Sequence, residues 1–422
     1  MSKNKYQKPR GMQDILPIDQ VLWEYITEKF IVASRNAGFK RISTPILEAT
    51  ELFSRAVGEE TEVVSKEMYT FEDKSGNSLS LKPESTAGVV RAFIENGMAS
   101  LAKPTKLYYV EPHFRYERPQ AGRYRQHHQL GIEVFGDAMP ASDVHVIALA
   151  SRVLNELDIE HKVAINSIGS AEDRRKYAEA LVNYFEKYRN DLPEINQAQL
   201  NKNVLRIIDS KDPDVIKLVE DAPQILDYLS KESSSRFQAV LEMLEGCGVE
   251  YELNSRLVRG LDYYNDTVFE FVSTSKEVRD SLGGGGRYDR LVAELGGVEM
   301  PAVGFGLGIE RIKGVLESNN FKPAPVATDV FVVAIGKEAL TYAEELREQL
   351  LNAGLKVGAN FTKKSIGDQL AIAAKQNSKY ALVIGNREAQ NKEALIKDMS
   401  SGNQHTEKHD TIVASLISAI RG

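Results

Sequence analysis

From residue 329 onward the chain switches regularly between two periodicities, which leaves few folds open to that stretch. DVFVVAIG is an apolar run of strand composition. KEALTYAEELREQLLNAG carries its apolar residues at helical spacing and stops at Gly354. LKVGAN, SIGDQLAIAAKQNSKY and YALVIG continue the alternation. Strand–helix–strand–helix–strand predicts an α/β domain on a parallel sheet over residues 328–422. The stretch before it, ESNNFKPAPVATD at 317–329, is rich in proline and asparagine and reads as a domain boundary.

Upstream the pattern differs. In residues 19–37, Val21, Leu22, Tyr25, Ile26, Phe30 and Ala33 fall at helical spacing and Gly38 supplies a stop, after which a short strand KRIST meets Pro45. Residues 171–253 read as mostly helical. They hold 11 Lys and Arg against 17 Asp and Glu, whereas residues 328–422 hold 12 against 11. An acidic helical piece between other patterns has the character of an inserted domain. A chain of 422 residues accommodates such a division. The expected domains are therefore 1–170 with 254–320, then 171–253 as the insertion, then 328–422.

Composition excludes some classes. No apolar run approaches membrane-span length, and the N-terminus has no signal-peptide core. Cys247 is the only cysteine, so neither an internal disulfide nor a cysteine-caged zinc is open to the chain. It is expected to be a buried filler in a cytoplasmic protein. The net charge of −7 rules out a uniformly basic surface but not a local site for a polyanion.

Such a site is suggested by residues 110–136, VEPHFRYERPQAGRYRQHHQLGIEVFG. Arg115, Arg118, Arg123 and Arg125 fall within eleven residues, with Glu117 the only acid among them. Arginine stays charged and meets phosphate oxygens two at a time. In the strand HQLGIEVF, Gln129, Gly131 and Glu133 share one face and Leu130, Ile132 and Val134 share the other. The apolar face is core. The polar face is either a solvated surface with a bulge glycine or a floor for a small ligand lying over Gly131. His127 and His128 point to opposite faces and do not chelate together, and no dedicated protein metal site is expected.

Other peptides add to this. LVRGLDYYNDTVFEF (257–271) puts Arg259, Asp262, Tyr263 and Tyr264 in one turn before a strand. LKPESTAG (81–88) alone reads as a helix entry with a Ser/Thr cap. The four glycines of SLGGGGRYDRLV (281–292) fit a hairpin tip or a close backbone approach. AVGFGLGIERI (302–312) is a strand with Gly304 and Gly306 that enters a helix bearing Glu310 and Arg311. GxxxxGK[ST] and a strand-linked GxGxxG are both missing, which disfavours a generic α/β nucleotide-binding protein.

Taken in order, these peptides resemble the histidyl-tRNA synthetase family, a branch of the class II aminoacyl-tRNA synthetases, over nearly the whole chain. The resemblance implies an α+β multidomain fold. Its parts are an antiparallel-sheet catalytic core, a helical insertion and a C-terminal α/β anticodon-binding domain. The helix at 19–37 with its strand resembles motif 1, which builds the homodimer interface in that family. The activity implied is ATP-dependent formation of histidyl-adenylate and transfer of histidine to tRNA(His), in the cytoplasm and with no membrane. L-Histidine would meet Glu84, Thr86, Gln129, Glu133, Tyr264 and Tyr288. ATP would meet Arg115, Glu117, Arg123 and Arg311, with Mg²⁺ bridging its outer phosphates. Arg115 and Arg259 would be the catalytic residues at the α-phosphate. Arg118 and Gln120 would meet the acceptor end of the tRNA. The chain departs from the family pattern at Ser85, where glycine is usual, and at His127, where many class II enzymes stack a phenylalanine on adenine.

A different class stays in view. Some relatives have lost catalysis and serve as regulatory subunits of ATP phosphoribosyltransferase. Those relatives lack the C-terminal domain and break the signature peptides, whereas Arg115, Arg259 and Arg311 are all present here.

Overall fold

Pro17 opens the first helix, Pro17–Asn36, at a position where a missing N–H costs nothing. Leu22, Trp23, Ile26, Phe30 and Ala33 form its buried stripe, and Gly38 follows with φ 83°. The stripe packs on an eight-stranded sheet. In spatial order the strands are Lys40–Arg41, Thr105–Phe114, Gln126–Phe135, Ala302–Gly308, Ser281–Arg287, Asn265–Ser273, His161–Ser167 and Tyr251–Leu253. The outermost pair at each edge is parallel and every inner pair antiparallel. This computed structural model describes residues 6–59, 61–120, 122–208, 210, 212–275, 281–323 and 327–421. Part of the boundary expected at 317–329 lies outside those residues.

The two sheet faces have different jobs. Leu130, Ile132 and Val134 point into a large core shared with helices Pro17–Asn36, Pro140–Glu156 and Ile309–Ser318. The opposite face carries Leu107, Tyr109 and Phe135. It packs against the helices Thr50–Val57, Thr86–Glu95 and Leu291–Glu294, and there the polar face of the predicted strand is found. A separate three-stranded sheet, in order Leu47–Ala49, Ser78–Leu81, Tyr69–Glu72, lies in the same part of the chain.

Among the described residues of 171–253 the secondary-structure elements are helices apart from the edge strand Tyr251–Leu253. Tyr177, Leu181, Phe185, Ile207, Val215 and Ile225 belong to a core of their own. The last helix, Lys231–Gly246, instead puts Phe237, Val240 and Leu244 into the large core. Asp173 ties the first helix of this segment to the start of its last. It completes a capping box with Ser170 and accepts from Ser230 N at 2.9 Å and Ser233 Oγ at 2.7 Å. Cys247 is exposed, contrary to the expectation of a buried filler. It is the cap residue just beyond the helix, past the last inward-facing position at Leu244.

The chain divides into two compact units, Met1–Lys322 and Pro323–Gly422. In the second, strands Val330–Ala334, Val357–Ala359 and Tyr380–Ile384 are parallel, as the alternation predicts. Two further strands, Glu393–Asp398 and Gln404–Lys408, add antiparallel, and helix His409–Arg421 follows. This mixed sheet goes beyond the parallel pattern, which ends at YALVIG. Glu393–Asp398 alternates too weakly to read as a strand, with buried positions only at Ala394 and Ile396.

Candidate active site

Strand register assembles the site. Gly131 pairs with Gly306 and Gly306 with Gly284, so three adjacent strands line up a row of glycines, of which Gly306 and Gly284 face one cleft. The glycines of 283–286 therefore lie in a central strand, not at a hairpin tip. Two of the close approaches are severe. A Cβ on Gly304 would overlap the Glu133 carboxylate, and one on Gly131 would overlap the Tyr109 ring. The space over Gly131, read from the sequence as room for a ligand, is held by that phenol.

At one end of the cleft Glu133 is buried and accepts hydrogen bonds from three hydroxyls. They come from Thr86 Oγ1 at 2.8 Å, Tyr109 at 3.4 Å and Tyr288. Burial pushes its carboxyl up to about 8, against the lowering effect of Tyr288 and Thr86. The carboxyl is thus mostly protonated at neutral pH, and a cationic ring presented to it would restore its charge. Glu84 lies nearby, buried, with its carboxylate on the backbone N–H groups of Thr86 (2.7 Å) and Ala87 (2.8 Å). Glu84 rather than Ser85 therefore caps the helix Thr86–Glu95. Burial raises its pKa and those two hydrogen bonds oppose the rise. Tyr263 and Tyr264, rings 4.6 Å apart, form the adjoining wall, and Tyr263 packs on Tyr288 at 5.6 Å.

The other end is cationic. Arg115, Arg123, Arg259 and Arg311 all line the cleft. Arg115 Nε donates to Pro83 O at 2.9 Å, which aims the guanidinium across the loop before the capped helix. Arg123 lies 3.9 Å from Glu117, and Arg311 donates to Ser281 O. Arg259 Nη1 is 3.5 Å from Glu270 Oε1, while its Nε is buried with no hydrogen-bond partner. Glu270 also accepts from Ser281 Oγ at 2.5 Å. Arg125 turns away to lie 3.6 Å above the Tyr116 ring, and its N donates to Gly11 O at 2.7 Å.

His127 lines the cleft, and burial together with Arg115 holds its imidazole down at about 3. His128 points the other way, edge-on to Trp23 at 4.9 Å and 3.0 Å from Glu310. Among the described residues no group of three or more His, Cys, Asp or Glu is placed to hold a metal ion. Glu270 and Glu310 are carboxylates in the cleft wall, the kind of ligand that meets a Mg²⁺ carried in on phosphates.

The cleft thus brings together Glu84, Thr86, Arg115, Glu117, Arg123, Gln129, Glu133, Arg259, Tyr264, Tyr288 and Arg311. Arg118 and Gln120 stand outside it, exposed on the turn between its two strands. Tyr109, Tyr263 and Glu270 line it without having been predicted from the sequence. For Tyr109 a signal existed. Pairing Thr105–Phe114 antiparallel to Gln126–Phe135 sets an aromatic directly opposite Gly131.

A sheet with an antiparallel centre thus carries one cleft with a glycine floor, a buried carboxylate at one end and arginines at the other. The family model for histidyl-tRNA synthetase matches residues 11–312, and that for an anticodon binding domain matches residues 329–419. The histidine–tRNA ligase of Latilactobacillus sakei is 43% identical over 417 residues, covering 97% of this chain and 96% of that protein. That of Thermosynechococcus vestitus is 44% identical over 401 residues, covering 94% and 93%. The apo histidyl-tRNA synthetase of S. aureus superposes with a TM-score of 0.82 at 34% identity, covering 97% of this chain and 99% of that one. The chain belongs to the histidyl-tRNA synthetase family.

Proposed function

We propose that this chain is a histidine–tRNA ligase that activates L-histidine with ATP to histidyl-adenylate and transfers the histidine to tRNA(His). The observation that carries the reading is the pairing, in one cleft, of the hydroxyl-ringed Glu133 with the arginine end. The imidazole lies against Glu133 and Tyr264, which between them accept from or donate to both ring nitrogens. Tyr288 and Thr86 hold Glu133 in place. Glu84 and Gln129 meet the amino-acid backbone.

The histidine carboxylate is already ionised and needs no general base to attack the α-phosphate. Arg115 and Arg259 align the two anions and neutralise charge gathering at phosphorus. Arg123, Glu117 and Arg311 hold the rest of the nucleotide. Glu270 and Glu310 of the cleft wall would hold a Mg²⁺, which would supply further charge neutralisation for the phosphates. Arg259 is better placed for chemistry than for holding the fold. Its partner Glu270 is 3.5 Å away and both side chains are partly exposed, a pairing worth about 0–1 kcal/mol.

Arg118 and Gln120, exposed beside the cleft, meet the tRNA acceptor end, and residues 328–422 bind its anticodon. We assign 1–170 with 254–320 to the catalytic domain and 171–253 to the insertion. The protein works in the cytoplasm as a homodimer. Exposed Ile46 and Leu47, just beyond the motif 1 strand, are candidates for burial between subunits. Among the described residues no helix is long and apolar enough to cross a membrane. Histidine-dependent ATP–pyrophosphate exchange tests the reading. A folded, purified protein without it belongs with the regulatory relatives.

A further inference from the structure

Behind the wall of the cleft runs a buried polar chain to which the proposed reaction assigns no part. Lys82 and Glu111, both buried, form an ion pair, and Thr44 donates to Glu111 from its backbone N at 2.8 Å and its hydroxyl at 3.1 Å. Ser85 Oγ donates to Glu111 Oε2 at 3.2 Å and lies 2.7 Å from His113 Nε2. A hydroxyl has one proton. Given to the carboxylate, it leaves the serine oxygen to accept from Nε2–H, which selects one tautomer of His113. His113 is fully buried and its Nδ1 has no hydrogen-bond partner, so Ser85 makes the one hydrogen bond that orients this ring. An imidazole without such a bond turns over a broad range about its last torsion.

His113 sits directly opposite His127 in the strand pair, ring centres 5.5 Å apart and planes at 38°. Tyr109 packs edge-on against it at 6.5 Å. Ser85 and His127 are not joined to each other by a hydrogen bond, yet His113 contacts both. An imidazole offers a smaller face than a phenyl ring, so it gains more from a neighbour that fixes its pose.

Resting on the ATP reading above, we propose that His113 is a positioning residue, oriented by Ser85, that sets His127 as the platform beneath the base of ATP. Ser85 and His127 then act as one unit. Removing the serine hydroxyl harms nucleotide binding when residue 127 is histidine and is nearly neutral when it is phenylalanine.

The test is a double-mutant cycle of wild type, Ser85→Ala, His127→Phe and the double variant. Calorimetry gives Kd for ATP, and pyrophosphate exchange gives KM for ATP and for histidine. Ser85→Ala is expected to weaken ATP binding about 3–10-fold in the wild-type background and less than about 2-fold in the His127→Phe background, as for residues sharing a network. KM for histidine stays unchanged, which a merely structural serine would not give. His113→Gln, which keeps a donor for Ser85 but loses the ring, is expected to match Ser85→Ala. Equal losses in both backgrounds, or a matching loss in histidine KM, overturn the proposal. Wild-type protein that binds no ATP overturns the nucleotide reading itself and the coupling with it. Wild-type binding with additive variants overturns the coupling alone.

Discussion

At the Glu133 end of the cleft the two carboxyls, Glu133 and Glu84, are held by neighbours behind the protein surface. Thr86, Tyr109 and Tyr288 point at one carboxyl that is itself 1% exposed. At the arginine end the side chains keep partial exposure and hold loose partners, such as Glu117 at 3.9 Å from Arg123 and Glu270 at 3.5 Å from Arg259. The contrast separates two tasks. A dry, fully bonded pocket rejects a ligand that leaves a buried group unpaired. A half-open cationic wall attracts a phosphate chain and lets the product go.

If the arginine end does the chemistry, the largest effect falls there. Arg259→His should slow adenylate formation by at least about 10²–10³, the usual loss for one preorganised charge-stabilising group. Transfer from preformed histidyl-adenylate should suffer less, because pyrophosphate has already left. Single-turnover assays of the two half-reactions decide it. Equal slowing in both would make the two ends of the cleft alike.

The Glu133 end predicts a binding defect. Glu133→Gln keeps the shape and the hydroxyl partners but cannot take on charge. KM for histidine should rise about 10–100-fold, the range for a lost charged hydrogen bond, with KM for ATP little changed. Pyrophosphate exchange with each substrate varied in turn measures both. Histidine dependence like the wild type would strip this end of its selective role.

A smaller effect is expected away from the cleft. Deleting residues 323–422 should reduce tRNA charging about tenfold or more, through loss of one of two tethered contacts, and leave adenylate formation within about twofold. Normal charging by the folded, truncated protein would refute the anticodon assignment.

The subtlest test is of stability. The Glu133 carboxyl titrates near 8 in the fold against 4.5 for a free glutamate. Its raised folded-state value favours the folded protein fully below pH 4.5, and that contribution is lost as pH rises through 8. Glu133→Gln should therefore gain in Tm relative to wild type as pH goes from 5 toward 8, then level off. Thermal scans across that range check it, and a constant difference would mean the carboxyl is not held protonated.

Much of this was legible in the residues. Alternation along 128–135 separates Glu133 from Ile132 correctly because a strand has a period of two regardless of its surroundings. The helices at 17–36 and 337–352 were equally plain from apolar spacing. What was hidden depends on partners across strands or chain ends. Tyr109 joins the site only through its register with Gly131, and the capping role of Glu84 only through the turn it closes. Cys247 misled because general burial preference knows nothing of a helix cap. The shared core of helix Lys231–Gly246 depends on a neighbour, Pro140–Glu156, roughly 90 positions upstream.

The glycine row has one more consequence. Gly306 and Gly284 leave the cleft face of two neighbouring strands bare at this level, whereas Tyr109 covers Gly131 beside them. Elsewhere the sheet is a filling between two layers of packing; along this strip it has only the layer behind it. Whatever lies in the cleft serves there as the second layer, so its dispersion contacts stabilise the sheet as side chains would. In such a design substrate affinity and fold rigidity draw on the same contacts. A change that tightens one should stiffen the other.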